Sequence, residues 1–232
     1  MIEKLADTGL PIVEVTAFVS PKAVPQMADG PEIFKKLKKR PEVEYAAPVP
    51  TLKYYDVALE SGCTLMGVFT GATEGFTKAN INTTIQKSMA HFAKIVERAN
   101  KDNIKVRGAI SCVMGCPYET DVDVQLIRQL SKDFIDMGCF EVGLADTIGT
   151  GTPEMTSELI EEVSKDVPVE KLAVHFHDTY KRALPNILAA LEYGVNVIDS
   201  SVGGLGGCPF APGATGNVSS EDVVYMLKEL GV

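Results

Sequence analysis

Two of the three histidines in this sequence lie one residue apart, within the stretch LAVHFHDTY at residues 172–180. Side chains at positions i and i+2 of a β-strand point to the same side of the sheet. His175 and His177 could therefore reach one metal ion together, since imidazole nitrogens are common metal ligands. The alternative is one hydrogen-bonded core histidine and one surface histidine. The apolar strand around the pair favours metal binding, for which further oxygen ligands would have to come from elsewhere.

A glycine-rich segment, GGLGGCPFAPGATGN at residues 203–217, is the second chemical signal, with six glycines around Cys208. A plain flexible loop is the alternative, but loops of this length in compact domains are usually functional. A thiol flanked by glycines is accessible and can act as an acid or a base if its pKa is tuned. Asn217, at the end of the segment, offers a neutral carbonyl oxygen as a ligand, and helix capping is an equal alternative.

Three carboxylates are also candidates for the site. Asp146, in GLADTIG, ends an apolar strand and could hold a ligand or orient a base, with capping of the next turn as the alternative. Glu14, in VEVTAF, lies inside an apolar strand, where a buried carboxylate is costly unless it is paired, so a site role is predicted. Glu221 either supports the site or is a first-turn acid that the helix dipole favours.

The remaining cysteine and histidine motifs predict structural roles. Cys112 and Cys116, in SCVMGCP, resemble half of a zinc site, but the sequence has no matching second pair. We interpret them as structural thiols or loop residues. His91, in SMAHFAKI, lies in the middle of a helical pattern and is interpreted as a surface or packing residue.

Seven short apolar runs predict the β-strands that must position these side chains. The runs are continuously apolar, which is typical of parallel strands covered on both faces. They cover residues 11–16, 44–47, 64–70, 105–111, 139–144, 172–177 and 195–200. Amphipathic helical patterns alternate with them and cover residues 2–8, 32–39, 52–61, 83–102, 122–137, 154–165, 183–193 and 221–230. Asn82 is the predicted cap of the fourth helix.

Alternation of strands and helices predicts the α/β class, as either a doubly wound sheet or a (β/α) barrel. The sequence has no glycine-rich phosphate loop, and polar residues gather just after the strands, where a TIM barrel carries its chemistry. We therefore predict a single domain over residues 1–232, a TIM (β/α)8-type barrel with only seven strands. The chain opens on a helix, so the missing strand is expected to be the first.

Charge and composition argue against several functions. The net charge of −9 argues against nucleic acid and against acidic membrane surfaces as partners. The five cysteines are an odd number in a chain too long to need disulfides, which predicts free thiols in a reducing compartment. No run approaches the roughly 18 apolar residues of a membrane span. The opening stretch MIEKLADTGL has no signal or transit character.

Six motifs together resemble the 3-hydroxy-3-methylglutaryl-CoA lyase family, and the similarity runs from about residue 5 to the C-terminus. They are FVSPKAVPQMAD, FTKANIN, GCPYE, LADTIGTGTP, AVHFHDTY and GLGGCPFAPGATGN. The cysteine-centred loop separates this family from related synthases and carboxyltransferase domains, which share the barrel and the His-x-His. The resemblance implies a carbon–carbon lyase that cleaves hydroxymethylglutaryl-CoA to acetyl-CoA and acetoacetate, in leucine breakdown and ketone-body formation, with Mg2+ or Mn2+.

The resemblance also implies roles for individual residues. The positions that match the family's metal ligands are His175, His177 and Asn217, joined in the family by an aspartate from the first strand. The matching catalytic and supporting positions are Cys208, Glu14, Asp146 and Glu221. Contacts with CoA are expected from Lys22, Lys78 and Asn80. A homodimer and a mitochondrial or cytoplasmic location are further expectations.

One departure from the family pattern carries its own expectation. The family's first strand holds an Arg-Asp-Gly-Leu-Gln run, which this sequence lacks, and a segment after the last helix is also missing. We therefore expect a chain trimmed at both ends, with weak or no turnover by residues 1–232 alone. A turnover near that of a complete relative, measured with added Mn2+, would refute this. The alternatives are a related aldol-type synthase and a non-catalytic fragment that binds metal, CoA or a partner chain.

Overall fold

The computed structural model describes residues 1–232 and contains one sheet of seven parallel strands. Each strand pairs with the next along the chain, so β1 and β7 form the two edges of the sheet. The strands are β1 (Ile12–Glu14), β2 (Glu44–Pro48), β3 (Leu65–Gly71), β4 (Lys105–Ser111), β5 (Glu141–Asp146), β6 (Leu172–Phe176) and β7 (Val197–Asp199). The predicted α/β class and the count of seven strands are confirmed.

Nine α-helices connect or flank these strands. They are α1 (Ile2–Ala6), α2 (Gly30–Lys36), α3 (Leu52–Glu60), α4 (Glu74–Ile81), α5 (Ile85–Lys101), α6 (Val124–Met137), α7 (Pro153–Val163), α8 (Ala183–Glu192) and α9 (Ser220–Glu229). None of them combines the length and the apolar character that crossing a membrane requires. Parallel strands joined through helices in strict chain order are the arrangement of a TIM barrel.

The sheet is curved, since Arg107 of β4 reaches Asp199 of the edge strand β7, with its Nη1 2.9 Å from the carboxylate. Enclosure by protein raises the pKa of Glu14, on the other edge strand β1; the charge of Asp199 adds to this rise and His175 of β6 opposes it. Such interactions need the two edges to face each other across a common interior. The seven strands thus form an incomplete TIM-type barrel, as the sequence predicted.

Packing between strands and helices uses large apolar side chains and small strand residues. Phe92, Ile95 and Val96 of α5 and Phe134 of α6 are almost fully buried. Gly108 of β4 leaves the space that the Phe134 ring occupies, because a Cβ there would lie 2.6 Å from Phe134 Cγ. A side chain at Gly108 would therefore force α6 away from the sheet.

Helix α4 is a correction to the sequence prediction. Its first turn contains Gly75, which has poor helix propensity, so the local pattern does not predict a helix there. The Thr73 hydroxyl nevertheless caps it by accepting a hydrogen bond from the backbone N–H of Phe76. Asn82 ends α4 in a left-handed conformation and does not cap α5, for which Thr84 provides the capping oxygen.

Strand β5 also differs from its predicted bounds, and the difference matters for the site. It covers Glu141–Asp146, two residues later than the apolar run at 139–144 indicated. Gly138 ends α6 in a left-handed conformation, and Cys139 and Phe140 then lead into the strand. Asp146 is consequently the last residue of β5, and its side chain is fully buried.

Candidate active site

The two histidines lie together at the carboxyl end of β6. Their ring centroids are 5.6 Å apart and the ring planes are inclined by 52°. The segment after the glycine-rich loop runs beside them, since His177 forms an isolated antiparallel bridge with Asn217. The backbone N–H of Val218 also donates to the carbonyl of Phe176, at 3.2 Å. The tertiary structure therefore brings Asn217 next to the His-x-His pair.

His175 is held through one of its two ring nitrogens. Its Nδ1 lies 3.2 Å from Oδ2 of Asp199, which is its direct neighbour on β7 in the strand register. Enclosure by protein lowers the pKa of His175, but the hydrogen bond and the charge of Asp199 outweigh this and raise it above its ordinary value. A carboxylate on Nδ1 leaves Nε2 as the nitrogen that can bind a cation.

His177 is in a different environment from its neighbour. It is only 4% exposed, and its Nδ1 has no hydrogen-bond partner. Burial, with a smaller contribution from the charge of His175, lowers the pKa of His177 to about 4. Its ring is therefore neutral at neutral pH, which is the form of imidazole that binds metals.

The donor set of these residues fits a divalent cation in part. Asn217 Nδ2 donates to the carbonyl of Leu205 at 3.0 Å, which leaves the Asn217 amide oxygen as a ligand atom. Nδ1 of buried His177 makes no hydrogen bond to the protein, so it is available to a cation. Nowhere do three His, Cys, Asp or Glu side chains group closely enough to hold an ion by themselves. Two imidazoles and one amide thus need oxygen ligands from substrate or water.

Cys208 is half-buried in the loop that follows β7. Burial raises the pKa of its thiol, although the backbone N–H groups of Phe210 and Ala211 lower it in part. The protonated thiol therefore predominates at neutral pH, and the side chain is suited to donate a proton. Burial raises the pKa of Cys112, and the nearby thiols of Cys116 and Cys208 add to this rise, so Cys208 lies close to Cys112.

Two contacts fasten the glycine-rich loop over this end of the barrel. The Tyr118 hydroxyl, in the segment after β4, donates to the carbonyl of Phe210 at 2.8 Å. At the start of the loop, the backbone N–H of Gly203 donates to Oε2 of Glu221 at 2.8 Å, which lowers the pKa of Glu221. Glu221 therefore contacts the base of the loop, which is a supporting position.

The Tyr118 contact makes a testable prediction. In Tyr118→Phe we expect the loop to open more often, because a net hydrogen bond of about 1 kcal/mol is lost while the aromatic ring stays beside Phe76. Cys208 should then react several-fold faster with a thiol reagent, as measured by mass spectrometry of the labelled protein. Tyr225→Phe, on the exposed face of α9, is the control. An unchanged rate of Cys208 labelling in Tyr118→Phe would show that the Tyr118 hydroxyl does not hold the loop closed.

The carboxylate of Asp146 accepts hydrogen bonds from the loop that follows it. Its Oδ1 accepts from the backbone N–H groups of Gly149 and Thr150, and its Oδ2 accepts from that of Gly151 at 2.8 Å. Burial raises the pKa of Asp146, and these three N–H groups oppose the rise. This geometry corresponds to the turn-capping alternative, so a direct role in catalysis for Asp146 stays a prediction.

Glu14 corrects one premise of the sequence prediction. Its side chain is on β1, at the edge of the sheet, and it is solvent-exposed rather than buried. Protein atoms nevertheless surround it on the inner side of the barrel, and this enclosure raises its pKa, with a further contribution from Asp199. Glu14 therefore faces the same interior as His175 and has free carboxylate oxygens.

The proposed CoA contacts lie further out. Lys22 is exposed in a turn after β1. Lys78 was expected at the start of a loop, but it lies in the last turn of α4, also exposed, and Asn80 is half-buried in the same helix. The local sequence around Lys78 and Asn80 predicts a loop, because it does not predict α4.

Three charged residues of the barrel interior are not among the site residues predicted from the sequence. They are Arg107 on β4, Glu141 on β5 and Asp199 on β7. A visible signal was the arginine inside the otherwise apolar strand KVRGAIS, since a charge there is costly unless it is paired. Asp199 directly precedes two serines after an apolar run, which is also typical of a site at the end of a barrel strand.

Thiol exposure provides a second prediction. Cys63, Cys112 and Cys139 are buried, while Cys116 and Cys208 are half-buried. Burial raises the pKa of Cys63 and of Cys139 to about 12. We expect Ellman's reagent to titrate two of the five thiols in the native protein and all five after denaturation. Peptide mapping should locate the fast label at Cys116 and Cys208, and rapid labelling of Cys139 would contradict the packing.

A parallel (β/α) barrel that gathers imidazoles, carboxylates and a loop thiol at one end has the arrangement of a barrel enzyme. The chain belongs to the HMGL-like family, whose model matches residues 1–232. This family consists of metal-dependent lyases. The chain is accordingly a carbon–carbon lyase of the oxo-acid-lyase class.

Individual relatives are similar over the whole chain. It is 49% identical to the mitochondrial hydroxymethylglutaryl-CoA lyase of Gallus gallus, and covers 78% of that protein. It is 51% identical to the 3-hydroxy-3-isohexenylglutaryl-CoA/hydroxymethylglutaryl-CoA lyase of Pseudomonas aeruginosa, and covers 77% of it. A cytoplasmic relative from Homo sapiens is 48% identical, so the relatives include mitochondrial and cytoplasmic lyases.

Solved structures agree with the fold. The hydroxymethylglutaryl-CoA lyase of Pseudomonas aeruginosa matches 99% of this chain with a TM-score of 0.94, and the match covers 77% of that structure. The HMG-CoA lyase of Brucella melitensis matches with a TM-score of 0.96 at 45% identity, covering 99% of this chain and 81% of that one. These similarities support the incomplete TIM-type barrel described above.

Proposed function

We propose that this protein cleaves 3-hydroxy-3-methylglutaryl-CoA to acetyl-CoA and acetoacetate, with Mg2+ or Mn2+ as its cofactor. The observation that carries the proposal is the similarity of about half of all residues, over the entire chain, to lyases named for this substrate. The geometric support is that His175, His177 and Asn217 lie together at one end of the barrel. The Cys208 segment is held at the same end by Tyr118.

The proposed cation would be held by His175 Nε2, by His177 and by the amide oxygen of Asn217. When bound, it would polarise the tertiary hydroxyl and the carboxylate of the substrate, as hard divalent cations do with oxygen ligands. Asp199 keeps the His175 ring oriented through Nδ1. Neutral His177 offers a lone pair without first losing a proton.

Bond cleavage requires two proton transfers. The hydroxyl on C3 loses its proton as the C2–C3 bond breaks, so C3 becomes the ketone carbon of acetoacetate. The electron pair of the broken bond remains on C2 as a thioester enolate. We propose Glu14 as the acceptor of the hydroxyl proton, because its oxygens are free and its raised pKa makes it a better base near neutral pH.

Cys208 is the proposed donor of the second proton. Its thiol carries a proton at neutral pH, and transfer of that proton to C2 of the enolate completes acetyl-CoA. The loop that holds Cys208 is fastened by Tyr118 and Glu221, so the enolate would be covered while it waits for protonation. Exclusion of water by such a loop prevents loss of the intermediate.

The test is product analysis with the protein produced from its own gene. Equal amounts of acetoacetate and acetyl-CoA should form from hydroxymethylglutaryl-CoA, and a chelator should stop the reaction until Mn2+ or Mg2+ is restored. Release of free CoA from acetyl-CoA and an oxo-acid would instead identify an aldol-type synthase. Absence of both reactions, together with retained binding of CoA, would identify a non-catalytic relative.

Contacts with CoA, the assembly state and the compartment complete the proposal. Lys22, Lys78 and Asn80 stay our candidates for contacts with CoA, and replacing both lysines should raise KM without changing kcat. We propose a homodimer, which light scattering after size-exclusion chromatography can measure. A mitochondrial or cytoplasmic location is proposed because the relatives are described as one or the other.

A further inference from the structure

A chain of charged side chains crosses the interior of the barrel behind His175. Arg107, from β4, has a side chain that is only 17% exposed, and its Nη1 lies 2.9 Å from both carboxylate oxygens of Asp199 on β7. Its Nε lies 2.7 Å from Oε1 of Glu141 on β5. That N–H does not point along the line between the atoms, so the contact with Glu141 is an ion pair without a hydrogen bond.

The backbone makes room for this crossing. Arg107 must pass over β5 and β6 to reach the edge strand β7. Gly143 of β5 leaves the path open, because a Cβ at that position would lie 3.3 Å from Nη2 of Arg107. A buried guanidinium is destabilising unless it is paired, and here two carboxylates pair with it.

Asp199 links this arginine to the candidate metal site. Its Oδ2 accepts from Arg107 Nη1 and also lies 3.2 Å from Nδ1 of His175. Strand β7 has only three residues and forms an edge of the sheet, so Asp199 has little support from its own strand. The Arg107 contact is therefore what fixes the carboxylate in the position that His175 meets.

We propose that Arg107 and Asp199 are positioning residues, which hold the His175 ring with its Nδ1–H toward Asp199 and its Nε2 toward the cation. The proposal rests on the cation site of the proposed function and adds how one ligand of that site is oriented. An imidazole without such a partner is free to change its tautomer and to rotate about its side-chain bonds. The alternative is an ion pair that only stabilises the barrel.

The first measurement uses the protein without metal. The imidazole nitrogen NMR shifts of the three histidines report which ring nitrogen carries the proton, with His91→Gln and His177→Gln used for assignment. In the wild type we expect His175 to be the Nδ1–H tautomer or fully protonated, with little of the Nε2–H tautomer. In Asp199→Asn the Nε2–H tautomer should appear. A wild-type His175 that is mainly Nε2–H would overturn the proposal whatever the protein does with metals.

The second measurement is the affinity for Mn2+, by titration with electron paramagnetic resonance detection. Loss of an outer partner of a ligating histidine typically weakens metal binding by about 10- to 100-fold, and we expect that loss in Asp199→Asn. Arg107→Gln should lose less, because Asp199 remains but is no longer held, and Arg107→Lys should recover part of it. Wild-type affinity in both Asp199→Asn and Arg107→Gln would overturn the proposal.

Matched variants separate positioning from stability. Arg128 pairs with Glu162 and Asp166 on the outside of the barrel, at 2.9 Å and 2.5 Å, so Arg128→Gln removes an arginine with two carboxylate partners far from the histidines. Its Mn2+ affinity should be unchanged. If Arg107→Gln does not fold, the double variant Arg107→Gln/Glu141→Gln removes the carboxylate left without a partner and takes its place in both measurements.

The two proposals can fail separately. Wild-type protein that binds no Mn2+ would count against the proposed function, while the dependence of the His175 tautomer on Asp199 would still be decided in the metal-free protein. Wild-type protein that binds Mn2+, with a His175 tautomer that Asp199→Asn leaves unchanged, would keep the proposed function and overturn the positioning role.

Discussion

Replacing His177 by alanine is expected to weaken Mn2+ binding by more than about 100-fold, since a direct ligand should matter at least as much as the outer partners of a ligand. His177 is the more completely buried of the two imidazoles, and its neutral ring requires no proton release in the neutral pH range. Turnover should fall with the cation affinity and recover in part at high Mn2+. Titration of Mn2+ followed by a rate measurement across Mn2+ concentrations checks both.

The chain offers a matched control for this substitution. His91 is the third histidine, lies in α5 beside Phe92 and also has a ring nitrogen without a partner. His91→Ala should leave the Mn2+ affinity unchanged. His177→Gln keeps more of the side-chain volume and distinguishes loss of a ligand from a cavity in the core. Wild-type affinity in a folded His177→Ala protein would remove this residue from the metal site.

Replacing Cys208 by alanine is expected to lower kcat by about 1000-fold, within the range of a general acid or base, while leaving the Mn2+ affinity unchanged. The thiol is protonated at neutral pH, and the loop at residues 203–217 contains no other titratable side chain. The enolate would then be protonated only by water, which should limit the rate of turnover. Steady-state rates at saturating substrate, together with a Mn2+ titration, separate this loss from an effect on the cation.

Cys116 provides the comparison for Cys208. It is the other half-buried thiol and accepts or donates a hydrogen bond with the Thr73 hydroxyl at 3.1 Å. Cys116→Ala should change kcat only by a small factor, because its thiol is engaged with a helix cap rather than with the loop. Equal losses in the two variants would mean that general packing at this end of the barrel, and not proton donation by Cys208, limits the rate.

These two substitutions divide the candidate site into separable parts. His177→Ala is expected to act through the cation, and Cys208→Ala through a proton. The division follows from the geometry, because His177 and Asn217 are joined by a backbone bridge, whereas the Cys208 segment is held by Tyr118. A protein in which both variants lost Mn2+ binding would have a different arrangement.

Much of this arrangement could be predicted from short stretches of sequence. The seven strands are predictable because each is a short apolar run. The bounds of β4, Lys105–Ser111, match those predicted from the sequence. The His-x-His spacing specified a common direction for His175 and His177, because alternation of side chains is a property of a single strand. The glycines around Cys208 likewise identified a loop from local chemistry alone.

Other features depended on contacts that local patterns do not encode. Helix α4 forms although Gly75 disfavours it, because Phe76 and Thr77 are buried against the rest of the fold. Glu14 was expected to be buried, but its place on an edge strand leaves it open to solvent. The oxygens of Asp146 are used by three backbone N–H groups, a count that only the folded loop decides.

Local sequence patterns are enough to predict the barrel class, the strands and the residue types able to bind a cation or move a proton, because these features depend on the spacing of residues close together in the chain. The contacts that hold these residues form between distant parts of the chain and become visible only in the folded protein. Arg107 and Asp199 are separated by 92 positions in the chain, and Asp199 and His175 by 24. Pairing of β6 with β7 places Asp199 beside His175, whereas curvature of the sheet brings Arg107 of β4 to Asp199. That curvature depends on the packing of all seven strands at once.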